Sequence, residues 1–519
     1  MLRYPCVLLL CAIAGCAVGP NYHPPEVAVE QAYAPLPPGV TNSVNSADPA
    51  NLAQWWTSLG DGNLDALVRQ AIHANYDIRL AEVRVREARA RRGIVAAEQF
   101  PAVDAGALFS HSRLSQNAWP YNAFAIPGFP WEASLYQVGF DASWELDVFG
   151  GVRRGVEAAD ADLAASIEGR RAVLVVMIAE VARNYVELRS LQQQYEIASR
   201  NLQAQQQTLD LTNEQARKGV ATQLDVSRAR AQVASTESML PQFRNLQWQT
   251  MHRLAVLTGQ QPDALVKQLS VVKPVPLPPA GVSTGVPAEL LRRRPDIRQR
   301  ERELASATAR IGMAQADLYP RFKLFGSFDL QAQDIDKLFR WDSRSFSVGP
   351  AVQWRVFDAG ALRSIVKVRN AQQEQALIQY EYTVQQALEE VHDALASFVT
   401  QQDRERSLEA AVKANEEAAE LSASLYRNGM TDFTSVLDAE RQLYRSQEDL
   451  VQSQTTVTTS VIALYKALGG GWQTEEDTSV ATPATQPSPQ KNPPQAARVG
   501  ASQPSSQNSE HSLTSKDNP

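Results

Sequence analysis

After Cys16 the 519-residue chain has no cysteine; its three, Cys6, Cys11 and Cys16, all fall within the first sixteen positions. No disulfide framework can therefore hold the body of the protein, and stability must come from a packed core and from assembly. A second long apolar run is also missing: beyond Ile13 no stretch reaches the roughly 20 residues a membrane helix needs. Any passage through a bilayer must then use strands. Basic blocks are absent and the formal charge is -7, which argues against nucleic acid as a partner. Catalytic signatures are lacking too. His23, His73, His111, His252, His392 and His511 are scattered without metal-ligand spacing, and neither a nucleophile elbow nor a dinucleotide fingerprint occurs. The triplet Gly469 to Gly471 is followed by no lysine, so it reads as a helix stop, not a phosphate loop. The expectation is a non-enzyme without cofactor or metal.

What is present begins with a leader. Arg3 precedes the apolar run "VLLLCAIA" and then small residues, the build of a secretory signal over residues 1–15. "IAGC" resembles a bacterial lipobox, in which the cysteine thiol carries diacylglycerol. Cys16 suits that cut; Cys6 follows Pro5 and Cys11 follows Leu10, so they do not. Residues 16–58 are expected as an extended N-terminal segment, rich in proline in its first part. Residues 271–284 read as a Pro-rich linker. Residues 473–519, rich in Pro, Gln, Ser and Thr, read as a disordered tail.

Between these lies a duplication. "DIRLAEVRVREARARRGIVAAEQFPAVDA" from Asp77 matches "DIRQRERELASATARIGMAQADLYPRFKL" from Asp296 at a shift of 219. "LDVFGG" from Leu146 matches "WRVFDAG" from Trp354 at a shift near 208, and "ARKGVATQLDV" matches "YRNGMTDFTSV" at 210. Two long units follow, 59–270 and 285–472, each reading as helix, two strands, long helix, tight turn, helix. Ile167, Leu174, Val181, Leu188, Tyr195, Leu202 and Leu209 recur every seven residues, and Leu377, Val384, Val391 and Phe398 hold the same phase. That period makes a supercoiling seam, and so thin a stripe points to a coiled array without a globular core. Tyr136, Val138, Phe140, Ala142, Trp144, Leu146 and Val148 alternate with polar residues. Phe322, Leu324, Phe328 and Leu330 do the same, as do Phe346, Val348, Val352 and Trp354. Period two with one apolar face is a half-buried strand, either on a soluble sheet or on a membrane barrel. Four strands cannot close a barrel, which starts near eight, so a barrel requires several chains.

With "GCAVGPNYHPPEV", "WWTSLGDGNLDALVRQAIHANYDIRLAEVRVREARA", "LLRRRPDIRQRERELASATARIGMAQADLYPRF" and "ALGGGW" in order, the chain up to Trp472 resembles the outer membrane efflux protein family, the TolC-like proteins. It is most similar to the lipoprotein branch serving resistance-nodulation-division pumps. The resemblance implies an α+β membrane protein: a homotrimer sharing one twelve-stranded barrel above a long helical tunnel. Its partners would be a periplasmic adaptor, an inner membrane pump and, through acylated Cys16, outer membrane lipid. It would passively conduct small molecules such as drugs outward. The turns carrying Gly219 and Gly429 would be the periplasmic hairpin tips that dock the adaptor. A gate there would be tied by Tyr426, Arg427 and Asp438. Rival readings are the conduit of a type I protein-secretion system and a lipid-anchored structural coiled coil.

Overall fold

The computed structural model describes residues 17–25, 52–115, 131–279 and 293–473. The leader, Cys16, the tail from residue 474 and the loop segment 116–130 lie outside the described residues. A buried 3-10 turn, Trp55–Leu59, opens onto α1 (Gly62–Ala74) and α2 (Tyr76–Ala97). Strands β1 (Ala102–Arg113) and β2 (Glu132–Leu146) lead into α3 (Gly151–Arg217) and α4 (Gln223–Leu257). The second half repeats the order: α5 (Pro295–Ala316), β3 (Arg321–Ala332), β4 (Arg344–Gln353), α6 (Ala361–Arg427) and α7 (Phe433–Ala467). Duplicated helices match in length: α2 and α5 have 22 residues each, α3 and α6 have 67, α4 and α7 have 35. At 1.5 Å per residue the longest pair each run about 100 Å.

The seven-residue seam is where the long helices bury themselves. Leu174, Val181 and Leu188 of α3 are buried, as are Val384, Val391 and Phe398 of α6. Both long helices stop at the same device. Gly219 and Gly429 take φ of 76° and 73°, a left-handed turn that a side chain resists. Thr222 and Asp225 then form a capping box on α4, and Asp432 accepts from the Ser435 N–H at 2.9 Å to cap α7.

Two expectations need correction. Residues 52–59 are helical, not extended, and bury Leu52, Trp55, Trp56 and Leu59: Trp55 is 1% exposed and stacks on Tyr465 at 5.2 Å. Two adjacent tryptophans are too apolar to lie on a surface, and the glycine stop after α7 leaves the space they fill. The helices also enclose a true core. From Leu174 to Gln192, α3 is buried on most faces, because α1, the 3-10 turn and the end of α7 wrap it. Inside that core Arg189 donates to Tyr185 Oη at 2.9 Å, Gln192 Oε1 at 2.7 Å and the Val271 carbonyl at 2.7 Å. Tyr185 in turn donates to Asp61 at 2.5 Å; burial and that bond push its phenol up to about 12. Both Nη atoms of this buried guanidinium are bonded, which makes its burial tolerable, while its Nε has no partner among the described residues.

Candidate functional site: sheet wall and hairpin tips

The four strands form one antiparallel sheet in the order β1-β2-β3-β4. Its register shows how the alternation seen in single strands adds up. Ala105, Phe140, Phe328 and Phe346 lie in one cross-strand row; Val103, Ala142, Gly326 and Val348 lie in another. Because partners across a ladder share a face, most of the large apolar residues of the four strands fall on one side, with Leu108 and Phe325 on the other. No helix covers them: Phe346 is 73% and Val348 72% exposed. The opposite side carries the row Asp104, Asp141, Ser327 and Ser347 and the row Gly106, Gly139, Asp329 and Ser345. Asp104 stands directly opposite Asp141. Like charges in that position repel unless water screens them, so this side is the wet one. The strands are 10 to 15 residues long, enough to cross a bilayer when tilted.

Such a wall is incomplete in two ways. Each outer edge, on β1 and on β4, lacks a neighbour among the described residues, and an open edge cannot persist in hydrocarbon. The helices repeat the deficit. α3 packs along α5 of the other repeat, but α6 has no comparable seam with α2 in the chain. Just below the sheet, Phe149 stacks on Tyr319 at 4.6 Å. Their counterparts in the other repeat, Phe357 and Phe100, are 88% and 67% exposed. Trp144 and Trp354, also counterparts, donate their indole N–H to the Gln99 and Leu318 carbonyls at 3.0 and 3.1 Å, fixing each helix end to its sheet.

Residues 17–22 lie across α3 and α5 at the same level. Val18 donates its N–H to the Phe149 carbonyl at 3.1 Å. Buried Arg154 donates to the Val18 carbonyl at 3.2 Å and to Asn21 Oδ1 at 2.7 Å. A Cβ on Gly19 would lie 2.4 Å from Gly312 Cα, so the crossing admits only hydrogen there. Sequence reading missed Arg154; its neighbours in the chain give no hint that a distant segment supplies its acceptors.

At the other end of the helices, Tyr426 is not on the surface. It packs edge-on against Phe433 at 5.9 Å, in an apolar cluster with Val436, Leu437 and Ala229, and its hydroxyl has no partner among the described residues. Arg427 and Asp438 are exposed, and neither enters an ion pair within the described chain. In the first hairpin Arg228 sits 3.9 Å from Asp225. Among the described residues of one chain, no hydrogen bond or ion pair joins the three expected gate residues.

A sheet with one greasy and one wet face, open at both edges and continued by helices about 100 Å long, defines a subunit of an outer membrane channel. The chain belongs to the outer membrane efflux protein family, whose model matches residues 67–260 and 286–470. It is 29% identical over 476 residues to the cation efflux system protein CusC of Escherichia coli, covering 90% of this chain and 99% of that one. It is 31% identical over 482 residues to the toluene efflux pump outer membrane protein TtgC of Pseudomonas putida, covering 91% and 97%. The solved structure of the outer-membrane channel OprN superposes with a TM-score of 0.80 at 35% identity, covering 88% of this chain and all of that one. The protein is the outer membrane channel of a tripartite efflux system: it conducts, and catalyses nothing.

Proposed function

We propose that three copies close a twelve-stranded barrel over a continuous helical tunnel, and that small molecules cross it passively. One observation carries this: every seam between the two repeats inside the chain lacks its second instance. β2 pairs with β3, so β4 is left to pair with β1 of the next copy. The α3–α5 seam calls for an α6–α2 seam between copies, and the Phe149–Tyr319 stack calls for Phe357 on Phe100 of the neighbour. Two copies would give eight strands, a barrel that side chains fill; three leave room for water. Introducing Phe100→Cys together with Phe357→Cys is expected, on oxidation, to yield a covalent trimer on a denaturing gel, with neither single variant doing so. Monomer alone from the double variant would refute the closure.

Cys16 is proposed as the acylated residue. The strap beginning at Ala17 supports this, because Ala17 lies against Gly150, where β2 enters α3, and a lipid on the preceding residue would enter the bilayer at the sheet's lower rim. Labelled palmitate is expected on the native chain and absent from Cys16→Ala; equal label on both would remove the anchor. The turns at Gly219 and Gly429 are proposed to meet a periplasmic adaptor linked to a resistance-nodulation-division pump, which supplies the energy. Tyr426, Arg427 and Asp438 are proposed to narrow the pore there, between copies. Cargo is proposed to be set by the pump: relatives about equally similar to this chain are named for cations and for toluene, and a wide wet lumen has little means of choosing.

A further inference from the structure

The seam between α3 and α7 changes character along its length. Near the tip it is apolar, with Leu209 beside Tyr426, Phe433, Val436 and Leu437. Toward the core it is apolar again, where Leu188 belongs to the same cluster as Val457 and Val461. The stretch between buries Ile197, Ala198 and Val451 but also carries polar contacts. Thr208 Oγ1 donates to Glu440 Oε1 at 2.7 Å, and Asn201 Nδ2 donates to Gln447 Oε1 at 3.3 Å. Gln205, one turn from Thr208 on the same helix, is 4% exposed with its carbonyl oxygen unpartnered.

Glu440 is the unusual member. Among the described residues no cation pairs with it. Arg441 beside it turns to Gln232 Oε1 on α4 at 2.8 Å, Asp438 is exposed, and α6 contributes Glu416, whose bond goes to Gln447 at 3.4 Å. Thr208 is the one group α3 offers it. A part-buried carboxylate with a single neutral donor is poorly solvated, and burial pushes this carboxyl above its ordinary value.

Resting on the reading that the hairpin tips gate the conduit, we propose that Glu440 is an acid-operated clasp: its neutral form holds α7 against α3, and its ionised form loosens that seam. The neutral acid needs little water and remains compatible with the closed seam. The carboxylate needs more water than a part-buried site allows, and gains it when α7 lifts from α3. The sign follows from linkage. An acid whose proton is held more tightly in the closed seam stabilises closure at low pH, and that contribution is lost as pH rises from the ordinary carboxylate value through the raised one. An acidic exterior would then narrow the path.

Spin labels on Gln203→Cys and Arg445→Cys test this in the full-length acylated protein, whose only other mature thiol would be on Cys16. Both positions are exposed, one on each helix. Beside the distances between copies, the within-copy distance is expected to be short at acid pH and to gain a longer component at neutral pH; adding Glu440→Gln should keep it short at both. Identical distributions with and without Glu440→Gln at both pH values would overturn the clasp. Conductance in planar bilayers supplies the second arm: it should fall severalfold on acidification in the native protein and stay low in Glu440→Gln. A Glu440→Gln channel that keeps the native pH response would also overturn it. Absence of conductance in the native protein at every pH would strike the conduit reading, while the distances still decide the clasp.

Discussion

Phe328→Arg is expected to abolish the assembled channel, while Ser327→Arg, one residue away, leaves it standing. Phe328 sits mid-strand in the apolar row with Phe140 and Phe346. An arginine facing lipid near the midplane of a barrel costs about 2–4 kcal/mol. Three copies raise that to about 6–12 kcal/mol per barrel, comparable with the whole net stability of a typical folded domain, about 5–15 kcal/mol. Ser327 points to the wet side, where Asp141 is its direct cross-strand partner, so an arginine there gains a counter-ion at no lipid cost. The check is a heat-resistant oligomer in outer membrane fractions: absent for Phe328→Arg, present for Ser327→Arg. The reverse pattern would turn the wall inside out.

The contrast between those two neighbours also explains why the sheet was legible in sequence. Period-two alternation writes the face of each residue directly, and one register then aligns four strands that were read separately. The long helices were equally plain, since Leu174, Val181 and Leu188 repeat without a breaker between them. Their surroundings were not. Trp55 and Trp56 look like the end of the extended N-terminal segment because burial depends on Tyr465, some 400 positions away in sequence. Arg154 and Glu440 fail to stand out for the same reason: the one is matched by a strap more than 130 positions earlier, the other by Thr208 at a separation of 232. Local pattern reveals periodic faces; it does not reveal which distant segment crosses them. The repeat itself is the exception, because it lets an intrachain contact such as Phe149 on Tyr319 stand as a template for one between chains.

Replacing Arg427 and Asp438 together by alanine is expected to raise single-channel conductance severalfold in planar bilayers, with the trimer still intact. Both side chains are exposed and find no ion-pair partner among the described residues of their own chain, so the loss of either costs the fold little. Their partners, if the tip closes between copies, are charges on adjacent hairpins. The two hairpins differ where it matters: Arg228 occupies the position that corresponds to Asp438, and Asp225 the position that corresponds to Ser435. Closed into a ring, neighbouring hairpins would then present acid to base. Each exposed bridge is worth only about 0–1 kcal/mol, so a ring of them can hold a narrow state and still yield when an adaptor binds. Tyr426 separates a lock from simple helix-end charge. Its ring is fixed in the cluster with Phe433 while its hydroxyl is unpaired, so Tyr426→Phe keeps the packing and removes only the polar atom. If that hydroxyl ties copies together, Tyr426→Phe should raise conductance on its own and add little to the double variant, since residues serving one lock do not act independently. Unchanged conductance in the Arg427 and Asp438 double variant would leave these charges as solvated ends of two helices and nothing more.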